Sequence, residues 1–217
     1  MKFADAFTFV FQDPDWFKKI IIPGLIGLLV PIVGQIFLLG WSLKVTLNVI
    51  RNNPSPLPEM EFGADLGRGF KAWVVGLVYA IPMLIFYLPI LILGLVAGDS
   101  GEQSMAFVVV IASICFGFLM LLYGIVMGLM LPAAYAKVAV EDSIGAGLAF
   151  GEIFKIVKNN LVVYLLVLVG TLAASFIASL GSIACGIGIL VTVPYSFAIM
   201  GHFYGQAYLE AKGLETV

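Results

Sequence analysis

The chain has 217 residues, of which 62% are hydrophobic and only 11% charged, with a formal net charge of −2. Soluble domains carry about 25% charged residues, so this composition excludes a soluble enzyme, a nucleic-acid binder and a disulfide scaffold. A mean hydropathy of +1.11 and apolar runs longer than any soluble core helix place the chain in a lipid bilayer, as one all-α integral membrane domain over residues 1–217.

Residues 1–12 predict an interfacial helix. Phe3, Phe7, Val10 and Phe11 recur at i, i+4, i+7 and i+8, the spacing of an amphipathic helix lying on a membrane. No cleavable signal peptide is expected, because Asp5, Asp13 and Asp15 stand where a basic n-region belongs. Asp13-Pro14-Asp15-Trp16 reads as a helix start and interface anchor. Asp13 can cap free N–H groups and Pro14 suits a first helical position. Asp15 complements the helix dipole, and Trp16 sits at headgroup depth.

Four long stretches lack Asp, Glu, Lys and Arg, at 20–43, 72–98, 103–136 and 159–209. A helix needs about 20 residues to cross about 30 Å of hydrocarbon. The second and third runs are therefore single long helices. The fourth must fold back, near Gly181, Ser182, Gly186 and Gly188, giving helices near 158–180 and 184–211. The first run fits either one span or a turn at Pro31-Ile32-Val33-Gly34, and charge selects the turn. With it, all eleven Lys and Arg fall at one membrane face, while the loop from Gly98 to Ser104 keeps only Asp99 and Glu102. Basic residues resist translocation, so that face is cytoplasmic, as are both termini. The segment from Asp13 to Val30 rises only about 27 Å; it either crosses a thinned bilayer or stops short as a re-entrant helix.

The expected architecture is about six crossings as three hairpins: 13–52, 66–138 and 153–212, with cytoplasmic connectors at 53–65 and 139–152. Phe17-Lys18, Phe70-Lys71 and Phe154-Lys155 each open a hairpin, as a threefold internal repeat would require. Aromatic–basic flanks also recur at any cytoplasmic interface, so both readings stand. A repeat with an even number of crossings keeps its orientation, unlike inverted repeats.

Asp13-Pro14-Asp15-Trp16-Phe17-Lys18-Lys19, the Gly-rich run to Gly40-Trp41, Val49-Ile50-Arg51 and Leu57-Pro58-Glu59 resemble the family called domain of unknown function 4013. Pro132-Ala133-Ala134-Tyr135 and the region of Phe150 and Asn160 also fit. The resemblance implies a polytopic protein of the cytoplasmic membrane of a bacterium or archaeon. It carries no catalytic residue.

Ionisable groups within a bilayer are functional candidates because burying them is costly. Lys44, Asn48 and Arg51 share one helical face, and His202, Gln206 and Glu210 form a ladder at i, i+4 and i+8. Each set reads either as snorkelling and packing residues or as the lining of a cytoplasm-facing vestibule. No Asp or Glu falls near a predicted span centre, and no P-loop, GxSxG or HExxH motif is present. Neither a cofactor, a metal nor a nucleic acid is expected, and Cys115 and Cys185 read as inert thiols. Gly124-xxx-Gly128 and Gly201-xxx-Gly205 are small-residue ridges, which either hold the bundle together or face a second protein. Two functions follow from the sequence: a non-enzymatic assembly or lipid-organising module, or a small-solute or lipid transporter.

Overall fold

A computed structural model describes residues 1–100, 103–183 and 187–214. Glu102, Cys185 and Gly186 lie outside the described residues, as do the side chains of Asp99 and Ser104. The described residues are all-α, without a strand. The order is α1 (Asp5–Thr8), a 3-10 turn (Phe9–Gln12), α2 (Trp16–Leu29), α3 (Val33–Ile50), α4 (Phe62–Ser100), α5 (Gln103–Glu141), α6 (Ile144–Gly147), α7 (Phe150–Asn159), α8 (Leu161–Leu180) and α9 (Ile189–Ala211).

The chain divides into two compact units, one of Met1–Val75 with Leu129–Val217, the other of Gly76–Gly128. In the first unit α9 packs against α8, α3 and α2. Side-chain hydroxyls join these helices. Ser42 Oγ donates to the Phe197 carbonyl at 2.6 Å and Thr46 Oγ1 to the Gly201 carbonyl at 2.9 Å. Ser196 Oγ donates to the Ala174 carbonyl at 2.7 Å, linking α9 to α8. Such bonds typically contribute about 0.6 kcal/mol each within membranes.

Glycine sets the spacing. A methyl on Gly201 would run into the Ser42 backbone, and one on Gly205 into Val49 and the Thr46 carbonyl. The Gly201/Gly205 ridge thus faces α3 inside the protein. Gly40 and Gly69 make a second close approach, between α3 and the base of α4, absent from the expected ridges. Gly124 behaves differently, since a methyl there would meet only Met83 Cε at 3.6 Å, an ordinary contact.

Among the described residues, four helices are long and apolar enough to cross a membrane: α3, α4 over Phe62–Gly98, α5 over Met105–Glu141, and α8. Among the expected six, α2 has 14 residues, about 21 Å of rise, short of the hydrocarbon thickness. Helix α9 has 23 residues, and its Ser196, His202 and Gln206 are buried by neighbouring helices. The chain turns between α2 and α3 at Val30–Ile32, where Ile32 takes a φ of 67° and Val33 N–H reaches the Pro31 carbonyl at 2.8 Å. Helix α5 runs on to Glu141, and amphipathic α7 forms its own element before α8. Ile153 and Val157 of α7 are buried while Phe150 and Phe154 are exposed.

The N-terminal segment differs from the expected 1–12 interfacial helix. It is a four-residue helix and a 3-10 turn, with Ala6, Phe9 and Val10 buried. Phe3 and Phe7 pack on Phe203 of α9, with ring centroids 5.1 and 5.7 Å apart. Tyr195 Oη donates to the Phe7 carbonyl at 2.5 Å, and the N-terminal ammonium pairs with Glu210. An apolar stripe identifies a buried face without saying whether lipid or protein covers it; here protein buries Val10 and packs on Phe3 and Phe7, while Phe11 stays 55% exposed. The second unit pairs residues of α4 and α5: Tyr123 Oη donates to the Tyr79 carbonyl at 2.7 Å, and Phe86 meets Tyr123 edge-on.

Leucine at Gly201 or Gly205 should therefore overpack the α3–α9 contact and destabilise the protein by about 1–3 kcal/mol or more. Alanine at Gly117, with nothing within 4 Å of its added methyl, should leave thermal melting in detergent unchanged. Equal melting temperatures for the leucine variants and wild type would refute this packing.

Candidate functional site

The polar groups of the first unit converge where the end of α3, the start of α2, the base of α4 and the end of α9 meet residues 51–61. Asn52 bends the chain out of α3 with a φ of 50°, a conformation asparagine tolerates better than most residues. Pro54, Pro56 and Pro58 then alternate with Ser55, Leu57 and Glu59. Proline has no N–H and favours an extended backbone, so the remaining polar groups of the strap need partners from elsewhere.

Those partners come from two helices, α3 and α2. Trp41 Nε1 donates to the Pro58 carbonyl at 3.4 Å, and Asn48 Nδ2 to the Ser55 carbonyl at 3.2 Å. Lys44 Nζ donates to the Glu59 carbonyl at 2.8 Å and lies 3.1 Å from the Glu61 carboxylate. Lys19 Nζ donates to the Leu57 carbonyl at 3.2 Å. The Leu57 side chain is fully buried in the core formed by Phe37, Trp41 and Val45.

Asp13 sits at the centre of this arrangement and is only 2% exposed. Its Oδ2 accepts from Lys19 Nζ at 2.9 Å and from Leu57 N–H at 3.3 Å, while Oδ1 accepts from Asp15 N–H at 3.0 Å. Burial pushes its carboxyl up, but the Lys19 and Asp15 hydrogen bonds, the Lys19 charge and the Leu57 N–H outweigh it and hold it below its ordinary 3.8. The expected capping of α2 by Asp13 is not made; its Oδ1 instead closes a short turn onto Asp15 N–H. Helix α2 begins at Trp16 with Asp15 before it and no side-chain cap, so Pro14 lies ahead of the first turn. The Leu57 partner of Asp13, 44 residues away in sequence, carries no local signal.

The remaining expected site residues separate into two recesses. Lys44 lines an open one of about 220 Å³ with Glu59 and Glu61. His202 lines another, of about 190 Å³, with Phe9, Gln12, Asn52 and Pro54. Asn48 and Asn53 border both, joined through Asn53 Nδ2 to Asn48 Oδ1 at 3.4 Å, so the strap stands between Lys44 and His202. Arg51 follows the last residue of α3 and is exposed, where a cation complements the helix dipole. Gln206 is buried beside His202, its Nε2 3.2 Å from His202 Nδ1.

A second ion-pair group holds the α5–α7 connection. Lys137, buried to 5% exposure, reaches Glu152 at 2.6 Å and Glu141 at 3.3 Å, and Lys71 reaches Asp142 at 2.7 Å. The Lys137 hydrogen bond and charge hold the Glu152 carboxyl below its ordinary 4.5. No local sequence signal announces the acidic partners of Lys71 and Lys137, which stand 71 and 15 residues away at Asp142 and Glu152.

Removing Lys19 leaves the Asp13 carboxylate buried without its cation, so Lys19→Met should cost on the order of 3 kcal/mol. Because the folded Asp13 carboxyl lies below its unfolded value, its stabilisation is complete above about pH 4 and is lost as pH falls through the folded value. Thermal melting between pH 2 and 6 should show this acid loss in wild type and a flatter profile in Asp13→Asn. Identical profiles would remove the strap's dependence on this charge.

Neither the curated proteins nor the solved structures gave a significant match to this chain. The model of one family, described as a protein of unknown function (DUF4013), matches residues 24–187. That range includes Lys44, Asn48, Arg51 and the strap, and leaves outside it Asp13, Lys19 and His202. The match extends over well more than half of the sequence, and the chain belongs to the DUF4013 family.

Proposed function

We propose that the protein is a non-enzymatic module of a prokaryotic cytoplasmic membrane that organises lipid or assembles with other membrane proteins. The observation that carries this reading is in α4 and α5. Their most apolar stretches, within Phe62–Gly98 and Met105–Glu141, have mean hydropathies of 2.5 and 2.8 and bury none of their residues inside the protein. Such surface needs lipid or another apolar partner around it.

The charges support the same reading. Lys19, Lys44 and Lys137 are engaged in ion pairs that hold connectors in place, leaving them poorly suited to a substrate path. In this proposal six segments cross or enter the membrane, both termini are cytoplasmic, and the strap and α7 lie on the cytoplasmic side. Phe17, Phe70 and Phe154, all more than half exposed, then stand at the interface beside lysines. Transport of a small solute or lipid is the second reading, favoured by the Lys44 and His202 recesses on that side.

Topology is open to direct test. In a background with Cys115 and Cys185 replaced by alanine, cysteines at positions 100 and 158 should react with an impermeant thiol reagent from opposite faces, 158 from the cytoplasm. Labelling from one face would overturn the arrangement. For function, protein purified gently and reconstituted into liposomes should retain lipid by mass spectrometry and show no solute uptake or lipid scrambling. Flux that falls in Lys44→Ala or His202→Ala would replace this proposal with transport.

A further inference from the structure

The recess beside His202 has features that packing alone does not explain. Gln206 Nε2 lies 3.2 Å from the Lys2 carbonyl and 3.2 Å from His202 Nδ1. A backbone carbonyl can only accept, so the amide nitrogen rather than its oxygen faces Lys2. The same nitrogen then donates to Nδ1, which must be unprotonated. The imidazole is therefore neutral, with its proton on Nε2. Among the described residues no protein group accepts from Nε2–H. Nor is that atom sealed away, since the buried unpartnered atoms include Gln206 Oε1 but no atom of His202. His202 is 8% exposed, and it lines the recess.

The other walls are of two kinds. Phe9 lies against the imidazole with ring centroids 4.3 Å apart, and Val49, Pro54 and Pro56 add apolar surface. Of the lining amides, Asn48 and Asn53 are committed to the strap, whereas Gln12 and Asn52 are exposed at the rim. No lining residue carries a formal charge. A volume of about 190 Å³ accommodates a single small ring. The lining is thus mixed, with Gln12, Asn48, Asn52, Asn53 and His202 polar beside four apolar residues, and convergent polar groups are what orient a small molecule in a site.

We propose that this recess binds a small uncharged ring that accepts a hydrogen bond from His202 Nε2–H and exchanges hydrogen bonds with the Gln12 and Asn52 amides. A nucleobase-type heterocycle and a monosaccharide share this chemistry. An anion does not suit the site, because no lining cation offsets its desolvation. The inference is independent of the lipid-organising reading: ligand binding here requires no transport, and lipid retention requires no ligand.

His202 is the chain's single histidine, so imidazole 15N labelling of the full-length protein in nanodiscs gives one unambiguous pair of signals. The free protein should show the Nε2–H tautomer. Titration with uracil or with glucose should shift the Nε2 signal saturably, and whichever probe acts identifies the source. Gln12→Ala, altering an exposed side chain, should weaken that binding at least threefold with unchanged melting temperature. Asn52→Gly, which keeps the left-handed backbone, should do the same, and full-strength binding in both variants would overturn the assignment. A shift with inorganic phosphate alone, or with none of the three probes, would also overturn it.

Discussion

A carboxylate removed from water must be paired, and the strap over the first unit is organised around that requirement. Asp13 joins the start of α2 to Leu57, with Lys19 bridging the two. Pro54, Pro56 and Pro58 stiffen the segment and reduce the number of N–H groups needing partners. The carbonyls of Ser55, Leu57, Pro58 and Glu59 each accept from a different helical side chain. Backbone polar groups with nowhere else to go are thereby satisfied. With Leu57 held in the core, the position of the strap is determined, and so is the division of the polar end into two recesses.

Helix α9 meets the same constraint in a different way. Its hydroxyl, imidazole and amide groups are carried in a surrounding of α2, α3, α8 and the N-terminal segment. Pro194 leaves the Leu190 carbonyl without its usual intrahelical donor, and that carbonyl faces Gly24, where a methyl would collide with it. Close approach lets helix backbones exchange polar contacts that larger side chains would block. A helix too polar to face lipid can then lie within the membrane. The 3-10 turn and Phe9 close one side of α9 at His202, so the N-terminal segment helps complete the wall of the recess.

What was legible in the sequence follows from the physics of each signal. Long uncharged runs read correctly as helices, because satisfying a helix's hydrogen bonds is a local matter; 72–98 and 103–136 lie within α4 and α5. The fold-back of the last run was legible because a single helix of that length exceeds the bilayer. The Gly201/Gly205 ridge was visible as spacing, although only the structure shows that α3 covers it. The strap was not legible, since Asp13 and Leu57 meet across 44 residues and neither residue type announces the other. The Phe3, Phe7 and Phe11 pattern gave an apolar stripe but not its occupant. Lys44 and His202 were placed in one vestibule by shared polarity, and the strap separates them.

Charge position separates two jobs that a count of basic residues merges. Lys19, Lys44, Arg68, Lys71 and Lys137 each pair with an acidic side chain. Their positive charge is largely cancelled where it stands, and each pair holds a connector or the base of a helix. Lys18, Lys155 and Lys158 are exposed, and the first two adjoin the exposed Phe17 and Phe154. An ammonium can stay at headgroup level while the neighbouring ring enters the apolar region. The paired group sets the shape of the polar end, while the exposed group keeps its ammoniums at the surface. The low charge content is in this sense doubly used: a few ions hold the strap, others stand exposed, and the recess at His202 is lined by neither.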